Sequence, residues 1–213
     1  MPAEVLALPL LTERLPLPPS PSLDPLLDAA VECISRHGLS KTSLSDIARE
    51  MGVAPSTVSR KVGSVDNVAL LVLGREAHRL LETVPVLLAG AEGPDVIIRV
   101  MVAAIEAATE HPMSRKVLQD EGQWMGRMVT RRLDDLIDQG VELSAPFLAA
   151  AMDAGAIRRQ DPELLAHWLL RISLATVVSP PPGDLRSALD PLLLPLLTPD
   201  PEPSSPPTRK RQA

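Results

Sequence analysis

Tyrosine is absent from this 213-residue sequence, and phenylalanine occurs once, at Phe147. Two tryptophans, Trp124 and Trp168, complete the aromatic set, which amounts to 1% of the chain. Sheets favour aromatic and β-branched residues, so this scarcity argues against an all-β fold. Cysteine is nearly absent too. Cys33 stands alone, which excludes an internal disulfide framework and any Cys-rich zinc site, and reads as a small buried residue on a helix. Long apolar runs are missing. The best candidate, Val96 to Ala104, is interrupted by Arg99 and falls well short of the roughly 18 residues a membrane helix needs. The first residues, Met-Pro-Ala-Glu, lack a basic stretch, so no secretory signal is expected, and a cytoplasmic protein without a membrane partner follows. Positive charge is also in deficit, with a net charge of −6. Nucleic-acid binding depends on Lys and Arg meeting phosphates, so any such function must come from a local patch. The common motifs for acyl-transfer nucleophiles, phosphate loops, dinucleotide binding, zinc proteases and C-x-x-C redox chemistry do not occur. No enzyme activity, cofactor or metal is therefore expected.

Proline is abundant, and its placement is informative. Of 23 prolines, seven lie at or before Pro25 and ten at or after Pro180. Proline breaks helix interiors and central strands, so the ends read as irregular and the middle as a folded body. Residues 1–22 are expected to be a flexible extension and residues 198–213 a disordered tail. Between them, Asp24-Pro25 reads as a helix start with Asp as the cap, and Leu27, Ala30, Val31 and Ile34 form one apolar stripe ending at Gly38. Ser43 and Asp46 have capping-box spacing for a helix that stops at Gly52. Pro55 opens a third helix, and Ser64 caps a fourth carrying Leu70, Leu71, Leu73, Ala77, Leu80 and Leu81, with Pro85 beyond its end. Further helices are expected over residues 94–110, 113–120, 123–139, 145–154, 162–178 and 184–196, the last kinked or broken at Pro191 and Pro195. With no convincing strand, the fold class is all-α.

Residues 43–62, SLSDIAREMGVAPSTVSRKV, place two short helices around a turn at Gly52, with Ala48 small where the helices approach. This is helix-turn-helix geometry, in which the second helix enters the DNA major groove. Within the segment Arg49, Arg60 and Lys61 oppose Asp46 and Glu50, and residues 23–63 carry five basic and five acidic side chains. Any binding would rest on geometry, helix N-termini and dimer avidity more than on a broad basic face, with a shallow salt dependence.

The order Gly38, Thr42-Ser43-Leu44, Asp46-Ile47-Ala48, Gly52-Val53, Ser56-Thr57-Val58, Gly63-Ser64 resembles the N-terminal DNA-binding domain of TetR-family transcriptional regulators. The resemblance covers about residues 26–71. The later helical pattern, with Gly155-Ala-Ile and Asp161-Pro162-Glu163 before Leu165-Ala166, is similar to that family's ligand-binding, dimerising domain. The resemblance implies a DNA-binding domain at residues 23–71 and an effector-binding, dimerising domain at residues 72–197. It implies that Ser43 meets a phosphate, that Pro55, Ser56 and Thr57 face bases or phosphates, and that Arg60 and Lys61 supply positive charge. Ser59 stands where the family usually has a phosphate-contacting tyrosine, and Val65 where it often has a lysine.

The expected function is a homodimeric repressor that leaves a pseudo-palindromic double-stranded DNA operator when a small apolar effector binds. The alternative is a dimeric helical small-molecule-binding or interaction module without DNA binding. Met101, Ile105, Trp124, Met128, Phe147 and Met152 are the candidate effector pocket, or plain core. Leu165, Trp168, Leu169, Ile172 and Ala175 are the candidate dimer stripe. Glu163 and His167, four apart on a helix, read as a surface or interface pair rather than a metal site.

Overall fold

A computed structural model describes residues 18–200; for Met125 and residues 127–132 it describes the helical backbone alone. The expected flexible extension and tail thus fall largely outside the described residues. Their inner edges are ordered: Ser20 caps a short 3-10 turn, Pro21–Leu23, that leads straight into the first helix. Among the described residues there are nine α-helices and no strand. They are α1 (Asp24–His37), α2 (Leu44–Met51), α3 (Pro55–Val62), α4 (Val65–Leu87), α5 (Pro94–Glu110), α6 (Pro112–Asp120), α7 (Gly122–Asp153), α8 (Pro162–Val178) and α9 (Leu185–Leu197). None is long and apolar enough to cross a membrane.

The punctuation of the sequence explains most of these boundaries. Proline occupies the first turn of α1, α3, α5, α6 and α8, where its missing N–H would have no helical partner. Ser43, Ser64, Asp161 and Asp184 cap α2, α4, α8 and α9 through their side chains. Asp24 differs from expectation: it is the first residue of α1, and Leu23 holds the cap position without a side-chain bond, because the 3-10 turn feeds directly into the helix.

Two further expectations fail at prolines. α4 does not stop before Pro85 but continues to Leu87, and the segments 123–139 and 145–154 are one helix, α7, that runs through Pro146. Proline removes one rung of the ladder. Here the neighbouring residues Val84, Leu88, Ala145 and Leu148 are all buried, and that burial holds the helix together across the gap. α9 likewise passes Pro191 and Pro195 without a break, anchored by Leu189, Leu193 and Leu197. The inward face of α4 is also different: Val68, Ala69, Val72, Arg75 and Val84 are buried, whereas Leu73 and Ala77 face solvent.

The core is in two parts strung along α4. The first contains Leu26, Leu27, Ala30, Ile34, Ile47, Ala48, Val58, Val62, Val68 and Val72, joined by Met113 and Val117 of α6. The second is built from α5, the later part of α7, α8 and α9, including Ile98, Ile137, Leu148, Ile157, Leu165 and Leu193. Full burial of each Val, Leu, Ile or Met among them contributes about 1.5–3 kcal/mol relative to exposure. α6 follows α5 in the chain, yet its apolar face completes the core of the first three helices.

Candidate DNA-binding surface

α2 and α3 meet at Gly52, whose φ of 70° and ψ of 29° place it in the left-handed region and let its N–H bond back to Ala48 and Arg49. Ile47 and Ala48 from α2, and Val58 and Val62 from α3, are buried in the first core. That leaves Pro55, Ser56, Thr57, Ser59, Arg60 and Lys61 all exposed on one outward surface. No side chain caps the N-terminus of α3 and no acidic residue lies in its first turn. Pro55 has no N–H and the Thr57 N–H bonds Ala54 O at 2.9 Å, so the Ser56 N–H and the positive dipole end are what this end of α3 offers, a setting that suits an anion such as phosphate.

Charge pairing sharpens this surface. Arg36 bridges Glu32 and Glu50, and Arg49 pairs with Asp46 at 3.0 Å. Arg60 and Lys61 form no ion pair with the described residues, so their charge is available to a partner. Lys41, exposed on the turn before α2, is in the same position. Reading the sequence missed it, although a lysine two residues before a capping box is a usable signal.

Ser43 is more committed than expected. Its Oγ accepts from the Asp46 N–H at 3.2 Å and donates to Asp46 Oδ2 at 2.6 Å, while Asp46 Oδ2 also accepts from the Ser43 N–H at 3.0 Å. The bonds from the Ser43 hydroxyl and backbone hold the Asp46 carboxyl below its ordinary value, so it stays ionised. The Ser43 hydroxyl proton is thus already used, and the remaining donors at this end are the free N–H groups of the first turn of α2.

The candidate pocket residues divide between the two cores. Met101, Ile105 and Met152 are buried in the second core, with Phe147 packed against it. Trp124 instead packs against the first core and donates from Nε1 to Asp66 Oδ1 at 3.1 Å. The Met128 side chain lies outside those described. The expected single pocket is therefore not assembled, because Trp124 opens α7 at the far end from Phe147 and Met152. A cleft of about 810 Å³ does lie between α7 and α8, but Asp138, Glu142, Ala145, Pro146, Glu163 and His167 are among its walls and none of the candidate residues is. His167 Nδ1 is 2.8 Å from the Arg171 guanidinium. Among the described residues no group of three acidic, His or Cys side chains could hold a metal ion.

The candidate dimer stripe is also divided. Leu165 and Leu169 are 3% and 9% exposed, and both belong to the second core of their own chain. A side chain already covered has no surface to give to a second copy, so these two are corrected to core positions. Ile172 is half-buried, and Trp168 and Ala175 are exposed. The outward face of α8 runs instead through Leu164, Trp168, Leu174 and Val178.

Residues 26–64, from the first turn of α1 to the cap of α4, match the family described as bacterial regulatory proteins, tetR family. The N-terminal part of the chain is thus a TetR-family helix-turn-helix domain, as expected from its motifs. An uncharacterized HTH-type transcriptional regulator of Mycobacterium bovis is 25% identical over 155 residues, covering 72% of this chain and 79% of its own. The fold is shared with a TetR-family transcriptional regulator from Pectobacterium atrosepticum, at a TM-score of 0.64 and 20% identity over 83% of this chain and 94% of that one. It is shared as well with SmeT in its complex with triclosan, at a TM-score of 0.56 and 23% identity over 85% and 98% of the two chains; SmeT is the repressor of the Stenotrophomonas maltophilia multidrug efflux pump SmeDEF.

Against the TetR-family pattern, the two departures sit at informative places. Ser59 is exposed in the middle of α3, and Val65 is the half-buried first residue of α4. At both, the side chain is too short and uncharged to reach a phosphate as tyrosine or lysine would. Lys41, Arg60 and Lys61 are exposed cations near these positions with no ion pair among the described residues.

Proposed function

We propose that this regulator is a homodimeric repressor that binds a pseudo-palindromic operator in the cytoplasm and releases it on binding a small, largely apolar effector. The observation that carries the reading is α3 itself: six exposed polar or proline positions, an N-terminus without a side-chain cap and two cations with no ion pair among the described residues. Pro55, Ser56 and Thr57 face bases or adjacent phosphates, while Arg60, Lys61, Lys41 and the first turn of α2 at Ser43 meet the backbone. Ser59 lies on the same surface and makes at most a short-range contact. Residues 23–71, completed by α6, act as the reading half, and the remainder to 197 as the effector and dimer half. SmeT's complex with triclosan supports an apolar effector here by analogy of fold. Effector and operator then weaken each other by the same factor.

The test is fluorescence polarisation with duplex DNA flanking the protein's own gene. The wild type binds saturably. Arg60→Ala with Lys61→Ala weakens binding at least tenfold and lowers the salt slope by about two, one for each phosphate that is no longer neutralised. Unchanged affinity in that variant would show that α3 is not the reading helix. A second reading, an interaction module without DNA binding, is favoured by Ser59, Val65 and the ionised Asp46 beside Ser43. It gains if the wild type shows no saturable, sequence-specific binding at low salt.

A further inference from the structure

One short stretch of chain touches both ends of the helix-turn-helix. Glu121 lies between α6 and α7 and is only 7% exposed, although it carries a carboxylate. Its Oε1 accepts from the Ser40 N–H at 3.0 Å and from the Ser40 hydroxyl at 2.8 Å, across 81 residues of sequence. Ser40 is in the turn that enters α2. Three residues after Glu121, Trp124 Nε1 donates to Asp66 Oδ1 in the first turn of α4, directly after α3. The residues between these two anchor points, 40 to 66, contain the whole of α2 and α3. Met113 and Val117 seat the preceding turns of α6 in the same core as Ile47 and Val58, so the junction is held against the reading half by apolar as well as polar contacts.

We propose that residues 121–124 act as a two-point clamp that sets the orientation of α3. Glu121 grips the entry to α2, Trp124 grips the exit from α3, and both belong to a junction whose other end runs into α7 and the second core. A displacement of α7 moves both anchor points together, which turns the α2–α3 pair as a unit rather than unfolding it. Glu121 and Trp124 are positioning residues: neither lies on the surface assigned to DNA. The clamp rests on the reading of α3 as the DNA reader. It also makes a claim about the free protein that does not depend on any DNA.

The test pairs hydrogen exchange on the full-length protein with DNA polarisation against duplexes flanking its own gene, for Glu121→Gln, Glu121→Ala, Trp124→Phe and the Glu121→Ala, Trp124→Phe double variant. In Glu121→Ala the Ser40 amide is expected to exchange at least tenfold faster, while peptides of α5 and α8 are unchanged. Glu121→Gln keeps an acceptor oxygen and restores most of that protection. Trp124→Phe leaves Ser40 protected and speeds exchange at residues 64–67. The double variant binds DNA at least tenfold more weakly with α3 untouched and its melting transition still cooperative. If Glu121→Ala does not fold, Glu121→Gln and Trp124→Phe carry the test. Unchanged exchange at both anchor points overturns the clamp, and so does faster exchange with wild-type DNA affinity. If the wild type itself binds no DNA, the regulator reading falls, and the exchange data alone uphold or overturn the two anchor points.

Discussion

Gly38 shows how much a single position can hold. It ends α1 with a φ of 87° and a ψ of 160°, a region that side-chain-bearing residues hardly visit. A Cβ at this position would also lie 2.6 Å from Glu121 Oε1, far inside contact distance. Gly38→Ala is therefore expected to cost about 1–3 kcal/mol in backbone strain alone, and more because the carboxylate must leave Ser40. Urea unfolding measures the loss. In a Glu121→Ala background the same substitution should cost less, since one of its two penalties has gone; equal costs in both backgrounds would refute the contact. His111, at the corner between α5 and α6, offers a second residue-level test. Burial holds its imidazole below the ordinary value; Glu76 on α4 pulls it back up, and Arg75 and Arg79 on the same helix push it further down. The unfolded chain thus takes up a proton at this position before the folded chain does. The stability that neutral His111 provides is complete above about pH 6.5, the unperturbed histidine value, and is lost as pH falls toward the lower folded value. Calorimetry should show the melting temperature dropping as pH falls below about 6.5. His111→Asn, which cannot titrate but suits a helix start, should flatten that slope, and an unaltered slope would rule out His111 as its source.

At the scale of elements, α7 and α8 make the closest approach to test. Gly140 of α7 leaves room for Leu170 of α8: a Cβ there would meet Leu170 Cδ1 at 2.8 Å and Cδ2 at 3.2 Å. Gly140→Ala should be near neutral, because the flexible tip of Leu170 can shift and the helix gains about 1 kcal/mol in propensity. Gly140→Val adds bulk that a rotamer change cannot absorb and should cost about 1–3 kcal/mol in thermal unfolding. Equal stability of the valine variant would mean that the helices are not packed closely there. The same elements explain what the sequence could and could not reveal. From Pro25 to Ser64, caps and glycine stops occur every few residues, and the boundaries of α1, α2 and α3 could be read almost to the residue. Pro85 and Pro146 misled, because local chemistry makes proline a stop, while burial of Val84, Ala145 and Leu148 carries the helix past it. α8 is apolar nearly all round, so periodicity alone could not tell its inward face, Leu165 and Leu169, from its outward one. Glu121 and Ser40 have no local signal at all; only the folded chain brings residues 81 apart into one hydrogen bond.

For the whole molecule, the open face of α8 is where the proposed dimer can be tested. Leu164 and Val178 are each 56% exposed and Trp168 57%, and Leu192 of α9 is exposed as well. Leaving this much apolar surface in water is unfavourable, and a second copy of the same face would cover it with two-fold symmetry. That symmetry would also repeat α3, so that two weak half-site contacts add on one duplex. The argument matters more here than for a basic protein, since residues 23–63 carry no net excess of positive charge and a lone reading half would hold DNA weakly. Leu164→Glu with Trp168→Glu should give a folded monomer by light scattering, because neither side chain belongs to the core. Its operator affinity should fall by about a hundredfold or more as avidity is removed, without any change to α3. The control is Trp168→Phe, which keeps an aromatic anchor on this face and should stay dimeric. A double variant that remains dimeric would move the interface off α8, and a monomeric variant that keeps wild-type affinity would mean that one α3 is enough to hold the operator.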